Sequence, residues 1–171
     1  MNDGTLLQRL KAGARKTVGE APAIGQELAG GGIDPADLFD LLVRHAGDAV
    51  VVSHGTHALK DSALKKPTLA PAILDFFIAE IGRFDGWEAR ENFLRVAARF
   101  GRDHPKAAEI HALAVDMTGD RSAIVAAYAL EVAVTLSGAG AAADALIRDG
   151  LEHPRAAVRA RARKLAAGTA G

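Results

Sequence analysis

The stretch Val158-Arg159-Ala160-Arg161-Ala162-Arg163-Lys164-Leu165-Ala166 decides the fold of this chain. Its apolar side chains fall at offsets 0, +4, +7 and +8 from Val158. That spacing puts them on one face of a helix with 3.6 residues per turn. The stretch therefore predicts an amphipathic helix with a basic outer face.

The same apolar pattern occurs three more times upstream. It starts at Val51, Ala89 and Val125, so that the four starts lie 38, 36 and 33 residues apart. An amphipathic helix that recurs at such a period is typical of stacked helix pairs, because one pair cannot bury its apolar stripe alone. The sequence therefore predicts an all-α fold, a right-handed α-solenoid of about four antiparallel helix pairs behind an N-terminal helical cap.

Composition places the chain among folded proteins. It has 171 residues, 49% hydrophobic and 25% charged, which suits one globular domain and does not fit a disordered chain. The 21 basic residues balance 21 acidic ones, so net charge gives no indication of a nucleic-acid or membrane partner. The absence of cysteine excludes disulfides, thiolate metal sites and a cysteine nucleophile.

Charged residues also interrupt every apolar segment long enough for targeting or membrane insertion. Near the start of the chain, Arg9, Lys11, Arg15 and Lys16 break up the region where the apolar core of a signal peptide would lie. No run of about 18 apolar residues occurs anywhere in the sequence. We therefore expect no membrane association and a cytoplasmic location.

Glycine, proline and aspartate punctuate the chain and predict its organisation. Residues 1–32 are expected to form the helical cap, which ends at Gly30-Gly31-Gly32, and residues 169–171 a disordered tail. The repeats are expected to fill residues 33–168, with Asp34 as N-cap and Pro35 at the first helical position. The predicted pairs are residues 34–47 with 49–64, 68–84 with 87–100, 105–117 with 122–136, and 141–151 with 154–167.

Several segments resemble a known repeat family. Glu88-Ala89-Arg90-Glu91-Asn92-Phe93-Leu94 and Ala157-Val158-Arg159-Ala160-Arg161-Ala162 look like the second helix of HEAT repeats, as do His153-Pro154 and the turn acids Asp48, Asp85 and Asp120. The resemblance covers about residues 34–168 and implies that second helices line a concave, partner-docking face. It also implies that Arg90 and Arg159 pair with a turn acid, Asp85 or Asp120. The sequence departs from the family at Val52 and Ala126, where an Arg is common, and at Gly55, a packing position.

A candidate docking surface follows from the register of the repeats. Offsets +3 and +6 are expected to point away from the buried stripe and to form a polar ridge on the second helices. Tyr128 and Arg95 are its expected anchors, because Tyr and Arg are enriched among interface hot spots. The alternative is that the ridge is an ordinary solvated face. The predicted partner-binding residues are His54, His57, Asn92, Arg95, Tyr128, Glu131, Arg161 and Lys164.

Metal binding and catalysis receive little support from the residues. His54, His57 and Asp61 share a helical face, yet a zinc site needs three or four converging ligands, so we predict no metal. No phosphate loop, nucleophile elbow or His-Glu-x-x-His motif occurs, and we predict neither catalytic residues nor a cofactor. The expected function is a non-enzymatic scaffold that binds a protein or peptide.

The basic C-terminal helix keeps one alternative open. Arg155, Arg159, Arg161, Arg163 and Lys164 could neutralise phosphates without sequence preference. DNA alkylation-repair glycosylases also stack HEAT-like helix pairs, so a nucleic-acid-binding relative of that fold is the second hypothesis. A small lyase or a chaperone-like helper that holds a partner is a third.

Overall fold

A computed structural model describes residues 3–15 and 17–169 of the chain, and most of these residues lie in helices, with no strand among them. The all-α prediction is therefore confirmed. No described helix combines the length and apolar character needed to cross a bilayer. Two 3-10 helices occur at Pro67–Leu69 and Ile81–Arg83. The α-helices are α1 Asp3–Lys11, α2 Ala21–Gly30, α3 Pro35–Arg44, α4 Ala49–Lys65, α5 Ala70–Glu80, α6 Trp87–Phe100, α7 Ala107–Met117, α8 Ala123–Ser137, α9 Ala141–Leu151 and α10 Ala156–Thr169.

The chain divides into two compact units, which we call the N-terminal unit (residues 1–96) and the C-terminal unit (residues 97–171). The predicted cap is part of the N-terminal unit, since α1 and α2 both pack against α4. In the C-terminal unit, α8 contacts α7, α9 and α10. The first residue of the predicted tail, Thr169, belongs to α10, and residues 170 and 171 lie outside the described residues.

Side-chain caps explain why several helices begin where they do. Asp34 accepts a hydrogen bond from the main-chain N–H of Ala36 and Pro35 follows it, which confirms the predicted start of α3. Asp48 caps α4 in the same way, accepting from Val50 and Val51 at 3.1 and 3.3 Å. These bonds satisfy main-chain donors that have no partner inside the first helical turn.

The recurring apolar stripe is buried along its whole length in α4, α6 and α8, and at its first two positions in α10. All four residues at offset 0 are inaccessible to solvent or nearly so, and offset +4 is buried from Gly55 to Ala162. Offsets +7 and +8 are buried in α4, α6 and α8, whereas Leu165 and Ala166 in α10 are partly buried. The pattern that predicted the helices therefore also predicts their buried faces.

Each unit has its own apolar core. In the N-terminal unit, Phe39 of α3 stacks on Phe76 of α5 with ring centroids 4.4 Å apart. Phe77, the next residue, packs against Phe93 of α6 at 5.7 Å. In the C-terminal unit the core is built from small and aliphatic side chains of α8, α9 and α10, around Leu130, Ile147 and Val158.

Candidate functional site

The C-terminal unit contains a groove between α8 and α10 with a volume of about 350 Å³. Three of the eight predicted partner-binding residues, Tyr128, Arg161 and Lys164, line it together. We call this feature the α8–α10 groove, and its remaining lining residues are apolar: Ile124, Ala127, Ala157 and Ala160.

A fourth predicted residue, Glu131, anchors the polar side of the groove. Its carboxylate forms an ion pair with the guanidinium of Arg161, and that guanidinium lies 5.0 Å from the centre of the Tyr128 ring. A cation at this distance from an aromatic ring is attracted to its electron-rich face. The pairing holds Arg161 against Tyr128 and fixes both side chains at the groove. Ile124, at the other side, is 47% exposed, which is unusual for a large aliphatic residue.

The N-terminal unit contains a larger cleft of about 600 Å³, which we call the α4–α6 cleft. Trp87, the only tryptophan of the chain, and Val18 line it and are 37% and 47% exposed. Its volume lies within the range of small-molecule sites, about 300–1,000 Å³. The full lining is Arg15, Thr17, Val18, Ser53, His57, Trp87, Glu88, Glu91 and Asn92.

Two carboxylates of α6 face this cleft, and each is paired with an arginine. Arg15 binds Glu88 through two hydrogen bonds of 2.9 and 2.8 Å, which ties the segment between α1 and α2 to α6. Arg95, a predicted site residue, donates to Glu91 one turn earlier on the same helix. The Arg15–Glu88 contact uses both carboxylate oxygens, and such a bidentate contact is more specific in geometry than a single hydrogen bond.

His57, another predicted site residue, lines the cleft as a half-buried imidazole. Its Nε2 lies 3.4 Å from Asp61 Oδ2, and the ammonium of Lys60 lies 3.0 Å from the other oxygen of that carboxylate. Burial lowers the pKa of His57, and the charge of Lys60 adds to the effect against the opposing field of Asp61. The ring is therefore held in its neutral form, as donor or acceptor, at neutral pH.

The expectation that offset +3 faces solvent in every repeat is wrong for His54. Its side chain is 1% exposed, and its ring nitrogens lie 2.7 Å from the carbonyl oxygen of Leu10 and 2.8 Å from that of Thr17. Offset +3 lies only about 60° around the helix from offset 0, so a neighbouring segment can cover it. His54 is therefore an internal contact of the N-terminal unit and not a surface for partners.

Asn92, the next residue at offset +3, is also mostly buried, at 5% exposure. Its amide donates to the hydroxyl of Thr56, which lies at 0% exposure on α4 and donates to the carbonyl of Val52. A buried polar group with such partners costs little, because its hydrogen bonds to water are replaced. Asn92 thus joins α4 to α6 while it also lines the cleft.

The arginines at offset +1 bind main-chain oxygens. Arg159 donates to the carbonyls of His153 and Pro154 at 2.7 Å, six and five residues earlier. Arg90 makes the same contact to Phe84 at 3.2 Å and, more weakly, to Asp85 at 3.5 Å. The prediction that Arg159 pairs with a turn carboxylate is therefore wrong, because its guanidinium binds the carbonyl oxygens of the turn that precedes its own helix. The two repeats share this feature at identical spacing.

The α4–α6 cleft depends on residues that the register of the repeats does not reveal. Arg15, Thr17 and Val18 come from the irregular segment between α1 and α2, which has no counterpart in the repeats. The sequence feature that could have indicated this cleft is Trp87, the only tryptophan, at the start of α6. Comparison with known protein families, with curated proteins and with solved structures finds no match to this chain.

Proposed function

We propose that this protein is a non-enzymatic binding module of HEAT-like architecture, and that a protein or peptide segment docks in the α8–α10 groove. The observation that carries the proposal is the convergence of Tyr128, Arg161 and Lys164 around a single groove. All three lie at offsets +3 and +6 of the recurring pattern, which predict a docking face, and Tyr and Arg are among the side chains enriched in interface hot spots.

The architecture is supported by equivalences between repeats. Offsets 0 and +4 are buried in α4, α6, α8 and α10 alike, and Arg90 and Arg159 bind the preceding turn at the same spacing. In the C-terminal unit, a contact also joins successive second-helix starts, since Arg155 donates to the carbonyl of Asp120. Repeats whose neighbours contact one another through equivalent residues are what a solenoid requires.

The chemistry of the groove favours an acidic, amphipathic segment as the partner. Ile124 and three alanines offer apolar contact to a side chain that enters between the helices. Arg161 and Lys164 supply positive charge at the polar side, and no carboxylate lies among the described lining residues. Glu131 already pairs with Arg161, so Lys164 is the cation available to a partner's carboxylate. Opposite charge at the rim of an interface speeds encounter and selects among partners.

The alternative hypothesis of nucleic-acid binding, which depends on the basic residues in and just before α10, receives less support. Arg155, Arg159 and Arg161 are occupied by Asp120, the preceding turn and Glu131. Of these five basic residues, Arg163 and Lys164 are exposed and form no hydrogen bond or ion pair with the described residues. Two phosphate contacts release few counterions and therefore give only weak binding to DNA.

A selection from a displayed library of random 12-residue peptides on the immobilised protein tests the proposal. We expect enriched peptides to place Asp or Glu beside a large apolar residue, and to lose binding to the Lys164→Glu variant. The matched control is Lys66→Glu, the same change at an exposed lysine outside the groove. No enrichment over the bare support, or peptides that bind both variants equally, would contradict the proposal.

A further inference from the structure

Glu91 of α6 presents an unused carboxylate oxygen at the α4–α6 cleft. Both hydrogen bonds from Arg95 end on its Oε1 atom, at 3.0 and 2.7 Å. The other oxygen, Oε2, accepts no hydrogen bond from the described residues, although the Glu91 side chain is only 16% exposed. The neighbouring Glu88 differs, because both of its oxygens accept from Arg15. Of these two carboxylates, Glu91 is therefore the one with an oxygen open to a ligand.

Asn92, the next residue of α6, presents a second accepting oxygen. The hydroxyl of Thr56 donates its proton to the carbonyl of Val52, so towards Asn92 it can only accept. The amide nitrogen of Asn92 must therefore face Thr56, at 3.1 Å, which assigns the orientation of the side-chain amide. Its carbonyl oxygen, Oδ1, receives no hydrogen bond from the part of the chain that the structure describes. Because no internal donor has to be displaced, a ligand in the cleft can donate to this oxygen directly.

The other described lining residues supply an apolar surface and no unpaired positive charge. Trp87 and Val18 both expose apolar surface at the cleft. Arg15 is held by Glu88 through two hydrogen bonds, and His57 is neutral at neutral pH because burial lowers its pKa. A tryptophan ring is the aromatic surface that attracts cations best. The cleft therefore combines hydrogen-bond acceptors, a carboxylate and an exposed indole.

We propose that the α4–α6 cleft binds a small molecule that carries a primary ammonium group beside an apolar or aromatic body. An ammonium has three N–H donors and no acceptor, which suits Oε2 of Glu91 and Oδ1 of Asn92. Its positive charge is matched by the Glu91 carboxylate. The apolar body packs against the ring of Trp87, where removal of its surface from water adds to the affinity. The cleft, at about 600 Å³, has room for a whole molecule of this kind.

The same groups disfavour an anion and favour a neutral ligand less. A carboxylate or phosphate would face two accepting oxygens, and Arg15 could bind it only by leaving Glu88. A neutral alcohol can donate one hydrogen bond, yet it places no charge beside the Glu91 carboxylate. A hydrogen bond between charged groups is shorter and roughly twice as strong as one between neutral groups. The positive charge of the ligand is therefore the property that this site selects.

Three probes of matched shape test the proposal on the wild-type protein. Phenethylamine is cationic at neutral pH, phenethyl alcohol is neutral and hydrocinnamate is anionic. Binding is followed by NMR at the indole N–H resonance of Trp87, the sole tryptophan, so that a probe bound in the α8–α10 groove is not counted. We expect the amine to bind saturably in the millimolar range, as a fragment of this size does. The alcohol and the acid should bind at least about tenfold more weakly.

The outcomes of this titration are distinct. A resonance of Trp87 that responds equally to the amine and to the alcohol would show that the cleft does not select charge. Tighter binding of hydrocinnamate at the same resonance would show that the site prefers anions. The absence of a saturable change with every probe would show that the cleft binds none of them. Each of these three results would overturn the proposal.

A matched pair of variants assigns the binding to one carboxylate. Glu91→Gln removes the charge and keeps the shape of the side chain, so phenethylamine should bind at least about tenfold more weakly. The control is Glu80→Gln, because Glu80 also pairs with an arginine, Arg83, and lies outside the described lining of the cleft. It should leave the affinity unchanged. Equal affinities of a folded Glu91→Gln protein and the wild type, or equal losses in the two variants, would refute the assignment. If Glu91→Gln does not fold, the three probes on the wild type decide.

Discussion

The guanidinium of Arg161 lies 5.0 Å from the centre of the Tyr128 ring, across the groove between α8 and α10. Both residues lie at offset +3 from the start of the recurring apolar pattern, so the contact joins equivalent positions of α8 and α10. Glu131 holds the guanidinium from the α8 side. The half-buried Tyr128 is therefore presented at the groove in a fixed orientation, which reduces the entropy lost when a partner binds.

The cap of α4 should contribute measurably to stability. Replacing Asp48 with Ala removes the acceptor for the N–H groups of Val50 and Val51 and the ion pair with Lys11. We expect the free energy of unfolding to fall by about 1 kcal/mol, the usual cost of losing an N-cap. Urea denaturation followed by circular dichroism measures it. Asp40→Ala, an exposed aspartate within α3, is the control and should change stability little. Equal effects of the two substitutions would argue against the cap.

A close helix contact in the N-terminal unit should be sensitive to one methyl group. A Cβ on Gly25 of α2 would lie 2.9 Å from the carbonyl oxygen of Ala58 on α4, so the helices must separate. We expect Gly25→Ala to destabilise by about 1–3 kcal/mol, as overpacking does. Gly30→Ala is the matched control on the same helix, because nothing lies within 4 Å of its added Cβ. A Gly25→Ala protein as stable as the Gly30→Ala protein would contradict this packing.

His57 should make the protein less stable in mild acid. Its pKa is lowered in the folded protein by burial and by Lys60, whereas in the unfolded chain it has the ordinary value of about 6.5. Below that pH the unfolded chain binds a proton that the folded protein does not, so the free energy of unfolding falls as pH falls. The loss stops once the pH is below the pKa of the folded protein.

An NMR titration of the His57 ring checks this sign. The ring should titrate below an ordinary histidine in the wild type, and Lys60→Met should raise its pKa because a nearby positive charge is removed. His57→Gln should flatten the pH dependence of the free energy of unfolding over this range. A His57 ring that titrates above about 6.5 would show that the assigned direction is wrong.

Much of the helical framework could be predicted because it is encoded locally. The limits of α6 and α9 agree with the predicted ones, since glycine, proline and capping residues mark the ends and the 3.6-residue period marks the buried face. The predicted start of this segment, Thr68, lies two residues before the start of α5, because Pro67–Leu69 form a separate 3-10 helix. Pro67 is the first residue of that 3-10 helix, and its fixed φ favours the turn there.

The environment of the site residues could be predicted only in part. Repeat register places Tyr128, Arg161 and Lys164 on one predicted face, and in the structure these three residues line one groove between α8 and α10. It failed for His54, because the segment that buries this ring belongs to no repeat. The predicted partner of Arg159 is wrong for a different reason: its charge alone favours a carboxylate, whereas two main-chain carbonyl oxygens lie within hydrogen-bond distance of its guanidinium.

The central claim, that the α8–α10 groove binds an acidic amphipathic segment, is tested most directly by fluorescence anisotropy with a labelled peptide from the selection. We predict that Tyr128→Ala weakens binding at least about tenfold, or about 1.4 kcal/mol, as removal of a hot spot does. Val115→Ala, an exposed residue of α7 outside the groove, should leave the affinity unchanged. Equal affinities of the wild type and of a folded Tyr128→Ala variant would contradict the account.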